Sequence, residues 1–210
     1  MCAFVLTGCL PIGWVSPPAK LDGGIGAVRQ VSNDGAVRYD GTYDVRASVV
    51  PLQLMPEDRM RLVDVELGYG MHGYFTSPRL YHGPFAGAGV LFPIDASNAR
   101  LGFYGQLHAL TRAQSSYAIA GGRVTGRVTL EFAGHTEGPF EACDFNGDAG
   151  FCGVGMAYGE GGAGFYAEAG YGIFDSRSEA ALTAGFFVRI PATLGAGVLC
   201  LSPAAVLEQL

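Results

Sequence analysis

No stretch of this 210-residue chain is apolar for the roughly 20 consecutive residues that a membrane-crossing helix requires, so any entry into a membrane must be made with strands. Charge is scarce: Asp, Glu, Lys and Arg make up 15% of the residues, against about 25% in an average globular domain. The 13 Lys and Arg are scattered and the net charge is -6, which leaves no basic stripe to neutralise a phosphate backbone and excludes nucleic acid as a partner. The chain contains no GxSxG, HExxH or P-loop pattern, and its Gly-rich runs do not open helices, so no motif assigns a reaction and no catalytic residue is expected. The five cysteines, Cys2, Cys9, Cys143, Cys152 and Cys200, lack the paired CxxC spacing of a zinc site. Neither a metal nor a cofactor is expected.

What the chain does have is glycine, 33 residues of it, and a two-residue hydrophobic period. Val124, Val128, Leu130 and Phe132 alternate with Arg123, Thr125, Arg127, Thr129 and Glu131. Similar alternation sets Val63, Val65, Leu67 and Tyr69 against Asp64 and Glu66, and Tyr43, Val45, Ala47 and Val49 against Asp44 and Arg46. It recurs with Phe165, Ala167, Ala169 and Tyr171 against Glu168, and with Leu182, Phe186, Val188 and Ile190 against Arg189. Weaker strands fit residues 84–92, 100–110, 151–158 and 194–201, and Asn33-Asp34-Gly35 reads as a hairpin turn. The pattern predicts an all-β fold, an antiparallel up-and-down β-barrel of about 8–10 strands.

Alternation alone leaves two barrels open. A membrane barrel turns its apolar side chains to lipid and its polar ones inward. A soluble barrel does the reverse and could hold an apolar ligand inside. The polar faces favour the membrane form. They carry Asp44, Arg46, Asp64, Glu66, Arg123, Arg127, Glu131, Glu168 and Arg189, without lysine and interleaved with Gly and Thr. Arginine and carboxylate in near balance suit a narrow lumen in which guanidinium groups pair with carboxylates. These nine residues are the expected lumen network.

Near the start, Leu6-Thr7-Gly8-Cys9 follows an apolar stretch. It resembles the lipobox of bacterial lipoproteins. The resemblance implies a diacylglyceryl group on Cys9 and a destination in the outer membrane of a Gram-negative bacterium, because the residue after Cys9 is Leu10 and not the Asp that holds such proteins at the inner membrane. The organisation expected on this reading is a residual signal segment at 1–8, a lipid-anchored tether at 9–24, a single barrel domain at 25–201 and a tail at 202–210. Thr183-Ala184-Gly185-Phe186-Phe187-Val188 resembles the assembly signal of outer-membrane barrels.

Cys143 and Cys152 flank a polar, Gly-rich loop, and in an exported protein a disulfide between them is expected, contributing about 2–3 kcal/mol. Cys200 is expected to be a small apolar residue without a partner. Asp144, Asn146 and Asp148 have calcium-loop spacing, but Ala149 replaces the usual Gly and Gly155 the usual Glu, so a solvated turn is expected. His72 and His82 read as exposed loop residues and His108 as a polar lumen residue. Tyr69, Tyr74, Phe75, Tyr81, Phe85 and Phe92 gather around 73–83 as an interfacial belt. The expected function is that of a non-enzymatic outer-membrane lipoprotein, a structural, adhesive or docking component of the cell envelope. Its partners would be membrane lipid, through Cys9 and the barrel wall, and other envelope proteins. A lipid-anchored soluble periplasmic barrel that binds an apolar ligand is the alternative.

Overall fold

The computed structural model of the chain describes residues 8–54, 62–94, 98–113, 119–146, 149–174 and 177–201. Among these residues ten strands are present: β1 (Gly8–Ser16), β2 (Ala19–Ser32), β3 (Val37–Val49), β4 (Val63–Tyr74), β5 (Leu80–Pro93), β6 (Ala99–Arg112), β7 (Ile119–Asn146), β8 (Ala149–Phe174), β9 (Arg177–Ile190) and β10 (Ala192–Leu201). A 3-10 turn at Pro51–Leu54 is the one helical element among the described residues.

Strands β2 to β9 pair each with the next, and β9 returns to β2, so eight antiparallel strands close on themselves. Closure is staggered. A path along paired residues from Lys20 runs through Ser48, Gly68, Phe85, His108, Arg123, Gly172 and Glu179, and re-enters β2 at Gln30, ten residues further on. A stagger of this kind tilts the strands and fixes the barrel's width. Closure also leaves no free edge within the barrel, β2 to β9, so backbone N–H and C=O groups there are satisfied within the sheet. Most barrel strands run 12–14 residues, beyond the ~9–11 that a tilted strand needs to span a bilayer.

The two ends differ. One, the turn end, has only short connections, at 33–36, 75–79, 113–118 and 175–176. There Gly35 adopts a positive φ of 81°, which the tight turn after Asp34 requires. At the other, open end β7 and β8 continue past the barrel, reaching 28 and 26 residues. Their extension pairs with β10, and β10 pairs with β1, making a four-stranded flap continuous with the wall. Pro17, Pro18 and Pro191, which donate no backbone hydrogen bond, separate β1 from β2 and β9 from β10. On the flap Trp14 lies against Gly153 and Gly195, where no Cβ intervenes, with Phe151 and Phe140 at ring distances of 5.5 and 6.3 Å.

Several expectations are adjusted by this architecture. The segment read as a tether, 9–24, is built as strands: β1 of the sheet and, despite the prolines, the start of β2, one of the eight barrel strands, where Lys20 and Asp22 alternate with Leu21 and Gly23. The segments expected separately at 151–158 and 165–173 are one strand, β8. Cys143 and Cys152 pair directly across β7 and β8 and are disulfide-bonded, inside a ladder and not around a wide loop. Cys200 is disulfide-bonded, which corrects the expectation of an unpartnered thiol. Its neighbour across the ladder is Cys9. The side chains of Cys9, Asp144 and Asn146, and all of Asp148, lie outside the described residues, as do the expected signal segment through residue 7 and the tail at 202–210.

Candidate functional site: a sealed charged lumen and an apolar wall

Each barrel strand points its polar set inward. Among the described residues the buried charges are five cations, Lys20, Arg46, Arg123, Arg127 and Arg189, and seven carboxylates, Asp22, Asp44, Asp64, Glu66, Glu131, Glu168 and Glu179. All nine residues of the expected lumen network are among them. Lys20, Asp22 and Glu179 were absent from that set. The first two sit in the segment read as a tether. Glu179, the third, keeps the alternation of β9 just beyond the turn, as the inward partner of Ala181 and Thr183.

At mid-lumen Arg46 donates through Nε to Asp22 at 2.8 Å and through Nη1 to Glu168 and Gln106 at 2.8 and 2.9 Å. Arg127 donates to the same two carboxylates, Nε to Glu168 at 2.9 Å and Nη2 to Asp22 at 3.1 Å. Its guanidinium lies 4.1 Å from the centroid of the Tyr166 ring. Four strands, β2, β3, β7 and β8, thus meet in one knot of two arginines and two carboxylates. Glycines make room for it: Gly70, beside Arg46, and Gly170, beside Arg123, leave space that a Cβ would fill.

Toward the open end Arg189 donates to Asp64 at 2.7 Å and to Glu131 at 2.9 Å, and Tyr104 donates to Asp64 at 3.0 Å. Lys20 is ion-paired with Glu66, and its ammonium lies 4.5 Å from the Phe187 centroid. Toward the turn end His72 is buried, not exposed in a loop. Asp44 stands at 2.9 Å from one of its nitrogens and Glu179 at 3.0 Å from the other. Arg123 joins Asp44 at 3.0 Å.

An apolar layer of Val28, Tyr74, Tyr81, Leu110, Phe174 and Ala181 closes the barrel above His72. The Tyr81 and Phe174 rings are 5.0 Å apart, and the Tyr74 hydroxyl donates to Glu179. His108 is buried and stacks on Phe85 at 5.1 Å. The space left beside His72, His108 and Arg123 is about 10 Å3 for water centres, room for roughly a single water and not for a continuous column of them. Here the lumen is packed, not a channel.

The outer face is the mirror of this. Leu21, Ile25, Leu67, Leu107, Val124, Leu182 and Phe186 are all exposed, while Glu66 is 0% exposed and Leu67, next in sequence, is 54% exposed. Toward the turn end the outward aromatics are Tyr39, Tyr69, Phe75 and Tyr171. Toward the open end they are Phe92, Phe103, Phe132 and Phe165. The aromatic group expected around 73–83 is therefore divided: Tyr69, Phe75 and Phe92 face out, whereas Tyr74, Tyr81 and Phe85 fill the lumen. His82 is on the outer face, hydrogen-bonded to Tyr69. Among the described residues no group of three or more His, Cys, Asp or Glu is placed to hold a metal ion.

Fold and polarity together define an eight-stranded antiparallel β-barrel with a charged, packed interior and an apolar exterior, the arrangement of a membrane barrel. No protein-family model and no curated protein matches the chain. Among solved structures it is similar to Ail, the attachment invasion locus protein of Yersinia pestis, at 12% identity and a TM-score of 0.37, over 83% of this chain and 99% of that one. It is also similar to Neisserial surface protein A, at 13% identity and a TM-score of 0.36, over 81% of this chain and 96% of that one. The closed ladder by itself defines the barrel.

Arg127 gives the direct test of the lumen. Arg127→Ala leaves Asp22 and Glu168 short of a partner in a site where both carboxylates are fully buried, and a loss of about 3–5 kcal/mol is expected. Urea titration of the refolded barrel in micelles measures it. A change below about 0.5 kcal/mol, the range of an ordinary surface substitution, would show that the pair carries no stability.

Proposed function

We infer that this chain is a non-enzymatic component of the outer membrane of a Gram-negative bacterium, with a structural, adhesive or docking role in the envelope. The observation that carries the reading is the inverted polarity: charges packed inside the barrel, large apolar side chains outside. A wall of this kind is stable where lipid surrounds it. A closed barrel of strands is one of only two folds that span a bilayer, and the Cys143–Cys152 disulfide fits an oxidising compartment. A packed lumen cannot transmit solutes, which leaves the two ends as the working surfaces. The alternative of a soluble barrel with an apolar ligand inside needs the apolar set to face inward, where this barrel holds arginine and carboxylate.

The ends support an orientation. Short turns cross a bilayer during insertion at little cost, while a flap whose outer strands β1 and β7 leave open ladder edges does so at greater cost. Insertion therefore proceeds turn end first, and the flap with β1 and β10 stays in the compartment from which the chain arrived. On this reading the flap projects into the periplasm, and its Trp14, Phe140 and Phe151 surface is the docking face for envelope partners.

The lipobox resemblance gives Cys9 an acyl chain as a second anchor. Acylation and a bridge to Cys200 would consume the same sulfur, so both cannot hold on one molecule. The acylated form is then a molecule without the bridge seen at Cys200, and intact-mass analysis of protein from native membranes is expected to show the acyl mass at Cys9 in that form. A non-reducing peptide map that joins Cys9 to Cys200 instead removes the anchor from this reading.

The barrel itself is tested separately. The protein is expected to resist a sodium carbonate wash of membranes, to migrate differently on gels before and after heating, and to give no ion conductance in planar bilayers. Release by carbonate would refute membrane insertion, and discrete conductance steps would refute the sealed lumen.

A further inference from the structure

Among the described residues, Arg29 is the one Lys or Arg on the outward face of the eight barrel strands. Its place in the ladder is specific. Tyr39 on β3 and Ala180 on β9 are its paired neighbours, and Ala180 pairs in turn with Tyr171 on β8. Arg29 thus stands in the row of outward tyrosines at the turn end, the level where a barrel wall meets lipid headgroups. Immediately below it the wall is recessed. A groove of about 480 Å3 is lined by Arg29 and Tyr39 at the top and by Ala27, Ala169, Ala180 and Leu182 along its length. Neighbouring positions on the wall carry Ile25, Val124, Tyr171 and Ile173, and Leu182 stands between Ala27 and Ala169, so the recess is a floor of small residues on either side of that leucine.

A second groove lower on the wall, about 680 Å3, is lined by Leu21, Gly23, Val45, Ala47, Tyr69, Met71, Phe186 and Val188, with the buried ion pair of Asp22 and Arg46 behind it. It is the larger of the two, but its outward rim has no cation. Apolar shape alone suits any acyl chain in the bilayer. The Arg29 groove adds a guanidinium at headgroup depth, whose fork of donors matches the oxygens of a phosphate and whose charge is opposite.

We propose that this groove is a binding site for a phosphate-headed membrane lipid, with one acyl chain along Ala27, Ala169 and Ala180 and the phosphate on Arg29. The proposal rests on the membrane-barrel reading above and deepens it, because it makes one strip of the wall, across β2, β9 and β8, selective for a lipid class. The phosphate supplies the selectivity and the alanine floor the fit. Tyr39 and Tyr171, in the same ladder row, flank the headgroup with hydroxyls.

The test uses the full chain, purified and delipidated in detergent, with dioleoylphosphatidylglycerol and its phosphate-free counterpart dioleoylglycerol as probes and native mass spectrometry as the readout. The wild type is expected to retain one phosphatidylglycerol at least tenfold better than dioleoylglycerol. Arg29→Gln is expected to abolish that preference. Ala27→Phe, which fills the groove from outside the packed lumen, is expected to lower retention of both probes at least tenfold. Ala47→Phe, in the groove without a cation, is expected to change neither. Equal retention of the two probes by the wild type, an undiminished preference in Arg29→Gln, or unchanged binding in Ala27→Phe overturns the proposal. Heat-modifiable gel mobility of each sample separates the two levels of failure. Mobility present without lipid selectivity refutes the lipid site alone, and mobility absent in the wild type refutes the barrel reading and the site with it.

Discussion

Arg46 and Arg127 share Asp22 and Glu168 at the centre of the barrel, and this four-residue knot explains more of the structure than any other contact. Two guanidinium groups lie close to one another only because each carboxylate bridges both. Two carboxylates are buried together for the same reason. Removing any member leaves an uncompensated charge where no water can replace it, a cost of several kcal/mol. The knot joins β2, β3, β7 and β8, strands from opposite sides of the ladder, so it also fixes the barrel's cross-section. Above and below it the same logic repeats, with Asp44, His72, Arg123 and Glu179 toward the turns, and Lys20, Asp64, Glu66, Glu131 and Arg189 toward the open end. Charge that would ordinarily face water has been gathered inside. The outer wall is then free to be apolar.

This inversion gives the low overall charge a structural meaning. A water-soluble domain of this size would use Lys and Glu to cover its surface. Here the few charges are concentrated where they pair, and glycine is plentiful because inward glycines such as Gly70 and Gly170 leave room for arginine side chains. The flap at the open end is the part that departs from a plain barrel. It extends the wall on one side only, carries disulfide-bonded cysteines, and presents an aromatic surface laid on glycine. Together with a sealed lumen, it directs functional interest to the barrel's surfaces.

Much of this was legible in the sequence. The alternation at 123–132 and 62–71 marks both faces of two strands, and the inward set Arg123, Arg127, Glu131, Asp64 and Glu66 follows from period alone. The choice between lipid outside and water outside was legible only through composition, since alternation is the same in both cases. Other features were obscured for identifiable physical reasons. Pro17 and Pro18 suggest a tether, but they occupy the break between β1 and β2, and Lys20 and Asp22 beyond them are lumen residues. His72 reads as a loop residue because Gly70 and Gly73 flank it, yet those glycines sit on a strand where Arg46 and Tyr43 need space. Cys200 is disulfide-bonded and stands on the last strand opposite Cys9 of the first, and no local pattern reveals a register of that span.

The most direct test of the account is the solvent that adjacent residues of β4 meet. Spin labels placed by Leu67→Cys and Glu66→Cys in protein reconstituted into lipid vesicles report collisions with oxygen, which partitions into the bilayer, and with a water-soluble nickel chelate. The account predicts that the label at 67 collides with oxygen in strong preference to nickel, and that the label at 66 is shielded from both. Nickel access at 67 exceeding oxygen access would place the apolar wall in water and contradict the membrane barrel.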